Sequence, residues 1–83
     1  MRKVVLELKE NPDKKEYQNT IKEVFGFSKN YGMNLDALYD ELTAIGEGIT
    51  IKIIGSNEDA ELKKIIKVIK KSMENNKNIR LEN

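Results

Sequence analysis

The sequence predicts a two-layer α/β domain in which a three-stranded parallel sheet carries helices on one face only. Three observations support this. Hydrophobic spacing switches between periods of about 2 and 3.6 in the order strand, helix, helix, strand, helix, strand. Each pair of successive strands is separated by at least one helical segment, long enough for a right-handed parallel crossover. All three strands alternate apolar with polar residues, whereas strands covered on both faces read as continuous apolar runs, so one sheet face is expected to be wet.

Val4, Leu6 and Leu8 alternate with Lys3, Glu7 and Lys9, interrupted only by Val5, which predicts a first strand over 3–9. Asn11-Pro12 ends it. Asp13, with Glu16 three residues on, forms a capping box for a helix over about 14–25, where Tyr17, Ile21, Val24 and Phe25 share a face. Gly26 is placed to close that helix in a left-handed cap. A loop with Phe27, Tyr31 and Gly32 leads to Asn34, whose amide oxygen can take an orphan amide of a second helix lined by Leu35, Leu38, Leu42 and Ile45. Gly46 and Gly48 are expected to end that helix. Ile49, Ile51 and Ile53 alternate with Thr50, Lys52 and Ile54 as the second strand, and Gly55-Ser56-Asn57 reads as a turn and cap. The longest helix follows, with Leu62, Ile65, Ile66, Ile69 and Met73 inward and Lys63, Lys64, Lys67, Lys70 and Lys71 outward, ended by Asn75 and Asn76. Ile79 and Leu81 alternate with Asn78, Arg80 and Glu82 as the third strand. Gly26, Gly32, Gly46, Gly48 and Gly55 lack phosphate-loop spacing and read as turns; Ser28, Ser56 and Ser72 read as loop or cap residues.

At 83 residues the chain is expected to be a single domain over 1–83. It has no Cys and no His, which excludes disulfides, thiolate zinc sites, imidazole general bases and Ser-His or Cys-His nucleophile pairs. No enzyme activity and no cofactor are expected. No apolar run approaches the ~20 residues of a bilayer span or the core of a secretory signal, so a cytoplasmic location is expected.

Net charge is only +1, but it is unevenly spread. Between Asn30 and Ile51 stand Asp36, Asp40, Glu41 and Glu47 with no base, while all fifteen bases lie elsewhere. In the second helix, Asp36, Tyr39, Asp40 and Thr43 fall at i, i+3, i+4 and i+7, a stripe facing away from the leucines. Like charges at i, i+4 cost an isolated helix roughly 0.2–0.5 kcal/mol, so the stripe is set against stability. Two helical carboxylates without His would hold at most a weak hard cation, and on one exposed turn they have no cleft in which to act as a hydrolytic pair. A protein-binding acidic face is the reading preferred. The alternative is that the lysine stripe of the last helix touches RNA, an assembly or an anionic membrane. It has no aromatic interleaving for base stacking.

The segment Tyr31-Gly32-x-Asn34-Leu35-Asp36-Ala37-Leu38-Tyr39-Asp40-x-Leu42 resembles the hallmark of the barstar family, intracellular inhibitors of barnase-type ribonucleases. The helix ending in Phe25-Gly26-Phe27 and the strand, helix, strand tail are also similar. The resemblance implies the same parallel sheet with helices on one side, and a protein that binds a small basic ribonuclease or related nuclease toxin one to one, as an antitoxin or immunity protein does. By this likeness Asp40 would enter the cleft where a substrate phosphate sits, Asp36 would meet a basic residue at its rim, and Tyr39 would supply an amphipathic contact. Gly32 would let the backbone pass close to the partner, Asn34 would hold the cap and loop, and Asn30, Tyr31, Ala37 and Thr43 complete the expected contact set. The chain departs from the family pattern at Tyr39, usually Trp; at Asn30, usually aromatic; at Met33, commonly polar; and at Lys71, where the last helix of the family offers another acid. The connection from Gly55 to Asp59 is also shorter. The target implied is barnase, a homologous ribonuclease or another toxin with a basic cleft.

Overall fold

A computed structural model describes residues 2–8, 14–55 and 59–82. Its elements run β1 (Arg2–Glu7), α1 (Lys14–Phe25), α2 (Leu35–Thr43), β2 (Ile49–Ile54), α3 (Ala60–Asn75) and β3 (Ile79–Glu82). β2 is the central strand and pairs in parallel with β1 and β3, as expected.

The register explains which sheet face is covered. Val4, Ile51 and Leu81 share one row, Leu6 and Ile53 another, and these pack against the helices. The alternate rows are Lys3, Thr50 and Arg80, then Val5, Lys52 and Glu82, then Glu7 and Ile54. They form the open face, where Val5 and Ile54 are each 44% exposed. The Val5 that interrupts the alternation in β1 is thus an outward residue. Lys3 and Glu82 pair across this face at 3.2 Å, an exposed bridge that adds little stability.

The core gathers Tyr17, Ile21 and Phe25 from α1, Leu38 and Leu42 from α2, and Leu62, Ile65 and Ile69 from α3 over Val4, Leu6, Ile49, Ile51 and Ile79 of the sheet. Val24, Leu35, Ile45, Ile66 and Met73 pack at its margin. At the end of α1, Gly26 takes φ 73°, its amide donates to the Glu23 carbonyl, and the Phe27 amide donates to the Lys22 carbonyl at 3.0 Å. This is the left-handed cap that the glycine predicted.

Three expectations are corrected. α2 stops at Thr43, before Gly46 and Gly48, and leaves Ile45 beyond the helix. The reason is remote in sequence: buried Asn76 donates its amide to the carbonyls of Leu42 at 2.9 Å and Ile45 at 2.8 Å, while its oxygen accepts from the Asn78 amide. Second, the N-cap of α3 is Asp59, whose Oδ1 accepts from the Leu62 amide at 3.0 Å, rather than a residue of the Gly55-Ser56-Asn57 turn. Third, Ser72 lies inside α3 and is fully buried; its hydroxyl donates to the Ile69 carbonyl at 2.6 Å, so its polar group is satisfied within its own helix. The expected Asp13 cap and Asn11-Pro12 break, like Lys9, Ser56 and Asn57, lie outside the described residues.

Asp59 also joins two helices. The Tyr17 hydroxyl donates to Asp59 Oδ2 at 2.5 Å, linking α1 to the start of α3. Burial, and then the Asp59 carboxylate, push the Tyr17 hydroxyl up to about 12. The same bond, followed by that from the Leu62 amide, holds the Asp59 carboxyl below its ordinary value.

Asn76→Ala removes the donor at 2.9 Å from the Leu42 carbonyl and at 2.8 Å from the Ile45 carbonyl, leaving each with a longer bond of 3.3 Å, and takes the acceptor from the Asn78 amide. It should lower the unfolding free energy by about 1–2 kcal/mol, read from urea denaturation midpoints. For the Tyr17–Asp59 bond the signs run opposite at the two ends of the pH scale. The tyrosine's share of stability is complete below its ordinary value of 10 and is lost as pH rises toward about 12. The aspartate's share is present above its ordinary 3.8 and is lost as pH falls through the lowered value. Tyr17→Phe should therefore be less stable than the parent at neutral pH. The gap should close above pH ~10, and denaturation curves taken across that range would show it.

Candidate protein-binding site

The loop before α2 is built from the inside. The Phe27 ring stacks on Phe25 with centroids 5.2 Å apart and tilts against Tyr31 at 4.9 Å. Tyr31 is 4% exposed and donates its hydroxyl to Gln18 Oε1 of α1 at 2.5 Å, with the Asn34 carbonyl oxygen 3.4 Å away. Burial, and then Glu41, raise this hydroxyl to about 12. Met33 adopts φ 57° and packs at the core margin, and the chain then turns into α2. A left-handed conformation in a residue other than Gly, Asn or Asp is uncommon and marks a turn held by its surroundings.

Asn34 caps α2 as its position predicted. Its Oδ1 accepts from the Ala37 amide at 2.7 Å, and its Nδ2 donates to the Gly32 carbonyl at 3.3 Å. A Cβ on Gly32 would lie 3.1 Å from the Ala37 Cβ. Both residues are small because the loop and the first turn of α2 meet there.

On α2, Leu38 and Leu42 are fully buried, which turns Asp36 and Asp40 to solvent. Asp36 sits in the first turn, where the helix dipole favours a carboxylate; Asp40 lies beyond it. No ion pair among the described residues involves either one. Tyr39, half-buried on the α3 side of them, is held from α3: Asn75 Nδ2 donates to its hydroxyl at 2.6 Å, and Lys71 Nζ stands 5.8 Å from its ring centroid.

Asp36, Tyr39 and Asp40 thus share one outward stripe, with Asn30 exposed on the preceding loop. Other members of the expected contact set are placed differently. Tyr31 is a core residue whose ring supports the loop from beneath, a correction to its place as a surface contact. Its aromatic neighbours and Gln18 decide this, and no local spacing could. Thr43 directs its hydroxyl back to the carbonyls of Tyr39 and Asp40, at 3.0 and 3.1 Å, rather than outward. Ala37 is half-buried against Gly32. Asn75 had only a helix-ending role in the sequence, because its partner Tyr39 is 36 positions away.

The remaining surface is plain. Lys63, Lys64, Lys67, Lys70 and Lys71 are all exposed along α3, as their spacing predicted. A depression of about 400 Å³ beside the start of α2, where Met33 and Leu35 meet Lys14, Gln18, Asp36 and Glu61, is too open to enclose a small molecule. Among the described residues no group of three or more His, Cys, Asp or Glu could hold a metal ion, and no helix is long and apolar enough to cross a membrane.

No individual curated protein matches the chain. The family model described as Barstar (barnase inhibitor) matches residues 1–80, nearly the whole sequence. With the parallel sheet, the capped second helix and that match together, the chain belongs to the barstar family, a family of inhibitors rather than enzymes.

Proposed function

We propose that this protein inhibits a small basic ribonuclease, of the barnase type or a related nuclease toxin, by seating α2 and the loop before it in the enzyme's substrate cleft. The observation that carries the reading is the stripe of Asp36 and Asp40: exposed, outside every ion pair among the described residues, and fixed in direction by Leu38 and Leu42 behind it. A ribonuclease cleft is lined with cations that hold the phosphates of RNA. Two carboxylates on adjacent turns present a similar pair of negative charges without a scissile bond. Asp40, at the middle of the helix, enters the phosphate position, and Asp36 meets a basic residue nearer the rim. Tyr39 lies against the cleft wall through its ring. The protein acts by occlusion, one to one, in the cytoplasm of the cell it protects.

Charge-assisted bonds from Arg or Lys to a carboxylate are strong, and they strengthen when the closing interface removes water. The free protein has already ordered the helix that bears them, so little conformational freedom remains to be lost on binding.

Asp40→Ala leaves a buried cation in the enzyme without its partner, a loss of about 3–5 kcal/mol. Inhibition of a barnase-type ribonuclease should fall by about a hundredfold or more, measured as the inhibition constant with an RNA substrate. Asp36→Asn should fall by less, since a rim carboxylate keeps some water. Lys67→Ala and Lys70→Ala should leave inhibition within about twofold, because exposed charges away from the contact are worth little. Loss in the lysine variants with none in Asp40→Ala would instead place the working surface on α3. The association rate should also fall as salt is raised, because screening shortens the reach of the acidic stripe.

A further inference from the structure

The outward stripe of α2 has a neighbour on α3. Tyr39 bridges to α3 through two contacts: the Asn75 amide on its hydroxyl at 2.6 Å, and the Lys71 ammonium 5.8 Å from its ring centroid. Lys71 and Asn75 are both exposed, and no ion pair among the described residues involves Lys71. A cation of α3 therefore stands over Tyr39, the aromatic member of the stripe that also carries Asp36 and Asp40. Lys70 is turned about 100° round the helix from Lys71, and Lys67 stands one turn before it; of the described lysines, Lys71 is the one over the Tyr39 ring.

A partner that covers Asp36, Asp40 and Tyr39 must also cover or border Lys71, because the ammonium lies against the same ring. A cleft that satisfies the carboxylates is rich in Arg and Lys. Extended unbroken to its rim, it would press a like charge onto Lys71 as water is excluded, where charge repulsion grows. The weak attraction to the Tyr39 ring does not cancel that charge. A partner with a carboxylate at this point gains an ion pair instead. Discrimination by an unfavourable contact with the wrong partner is a common route to specificity.

We propose that Lys71 is a specificity-determining residue: it selects a ribonuclease with an acidic side chain on the rim of its basic cleft, and disfavours one whose rim there is basic. This rests on the inhibitory reading above and adds the partner's charge pattern to it.

The test is a charge swap with a defined probe. Binding of the parent chain and of Lys71→Glu, Lys71→Gln and Asp40→Ala is measured against barnase, and against barnase variants carrying single Lys→Glu or Arg→Glu changes round the cleft rim. Lys71→Glu should bind unaltered barnase about tenfold more tightly than the parent does, and Lys71→Gln should fall between. On at least one rim variant the order should reverse, a coupling that a purely structural role for an exposed lysine would not produce. Thermal melting of the Lys71 variants should match the parent. If Lys71→Glu stays within about threefold of the parent on every probe while Asp40→Ala still loses about a hundredfold, the role of Lys71 is overturned and the inhibitory reading stands. If Asp40→Ala loses nothing, both fall.

Discussion

The burial of Leu38 and Leu42 sets everything that α2 presents. The two leucines lie four residues apart on one side of the helix, and neither has any exposed surface. Turning α2 far enough to hide an aspartate would expose them, at about 1.5–3 kcal/mol each. The outward direction of Asp36 and Asp40 is thus a consequence of core packing. The carboxylates need no contact of their own to hold it.

A nine-residue helix would not persist in water by itself. Its two ends are fastened by different devices. At the start, Asn34 takes the Ala37 amide, and Tyr31 reaches through the core to Gln18, so the loop and α1 support the first turn. At the finish, Asn76 reaches from the end of α3 to the Leu42 carbonyl in the last turn of α2 and to the Ile45 carbonyl just beyond it. Asn34 is exposed, but Gln18, Tyr31 and Asn76 are buried, and their polar side-chain atoms are satisfied, as low-dielectric surroundings demand. The result is a short rigid rod with charge on its free side, a suitable form for an inhibitor whose affinity depends on fitting a preformed cleft.

Function and stability pull apart on the same helix. Asp36 and Asp40 repel each other and have no ion-pair partner among the described residues, whereas the open sheet face carries the Lys3–Glu82 pair. Tyr39 stands between the acids of α2 and the lysines of α3, holding one ring in place with a hydrogen bond from Asn75. The interface proposed for α2 therefore has a border on α3, where its charge changes sign.

Periodicity and end signals in the sequence determined the elements, the parallel order, the wet sheet face, the Gly26 and Asn34 caps and the outward stripe of α2, because each depends on residues within about one or two helical turns of one another. What only the tertiary structure decided depends on partners far away along the chain. Tyr31 belongs to the core because Gln18 and Phe27 meet it there. α2 ends at Thr43 because Asn76 collects its carbonyls, and Asp59 caps α3 while also receiving the Tyr17 hydroxyl. Lys71 borders the acidic face because α2 and α3 pack side by side. Local spacing states which way a side chain leaves its own helix; which neighbour it meets is set by how the helices lie on the sheet.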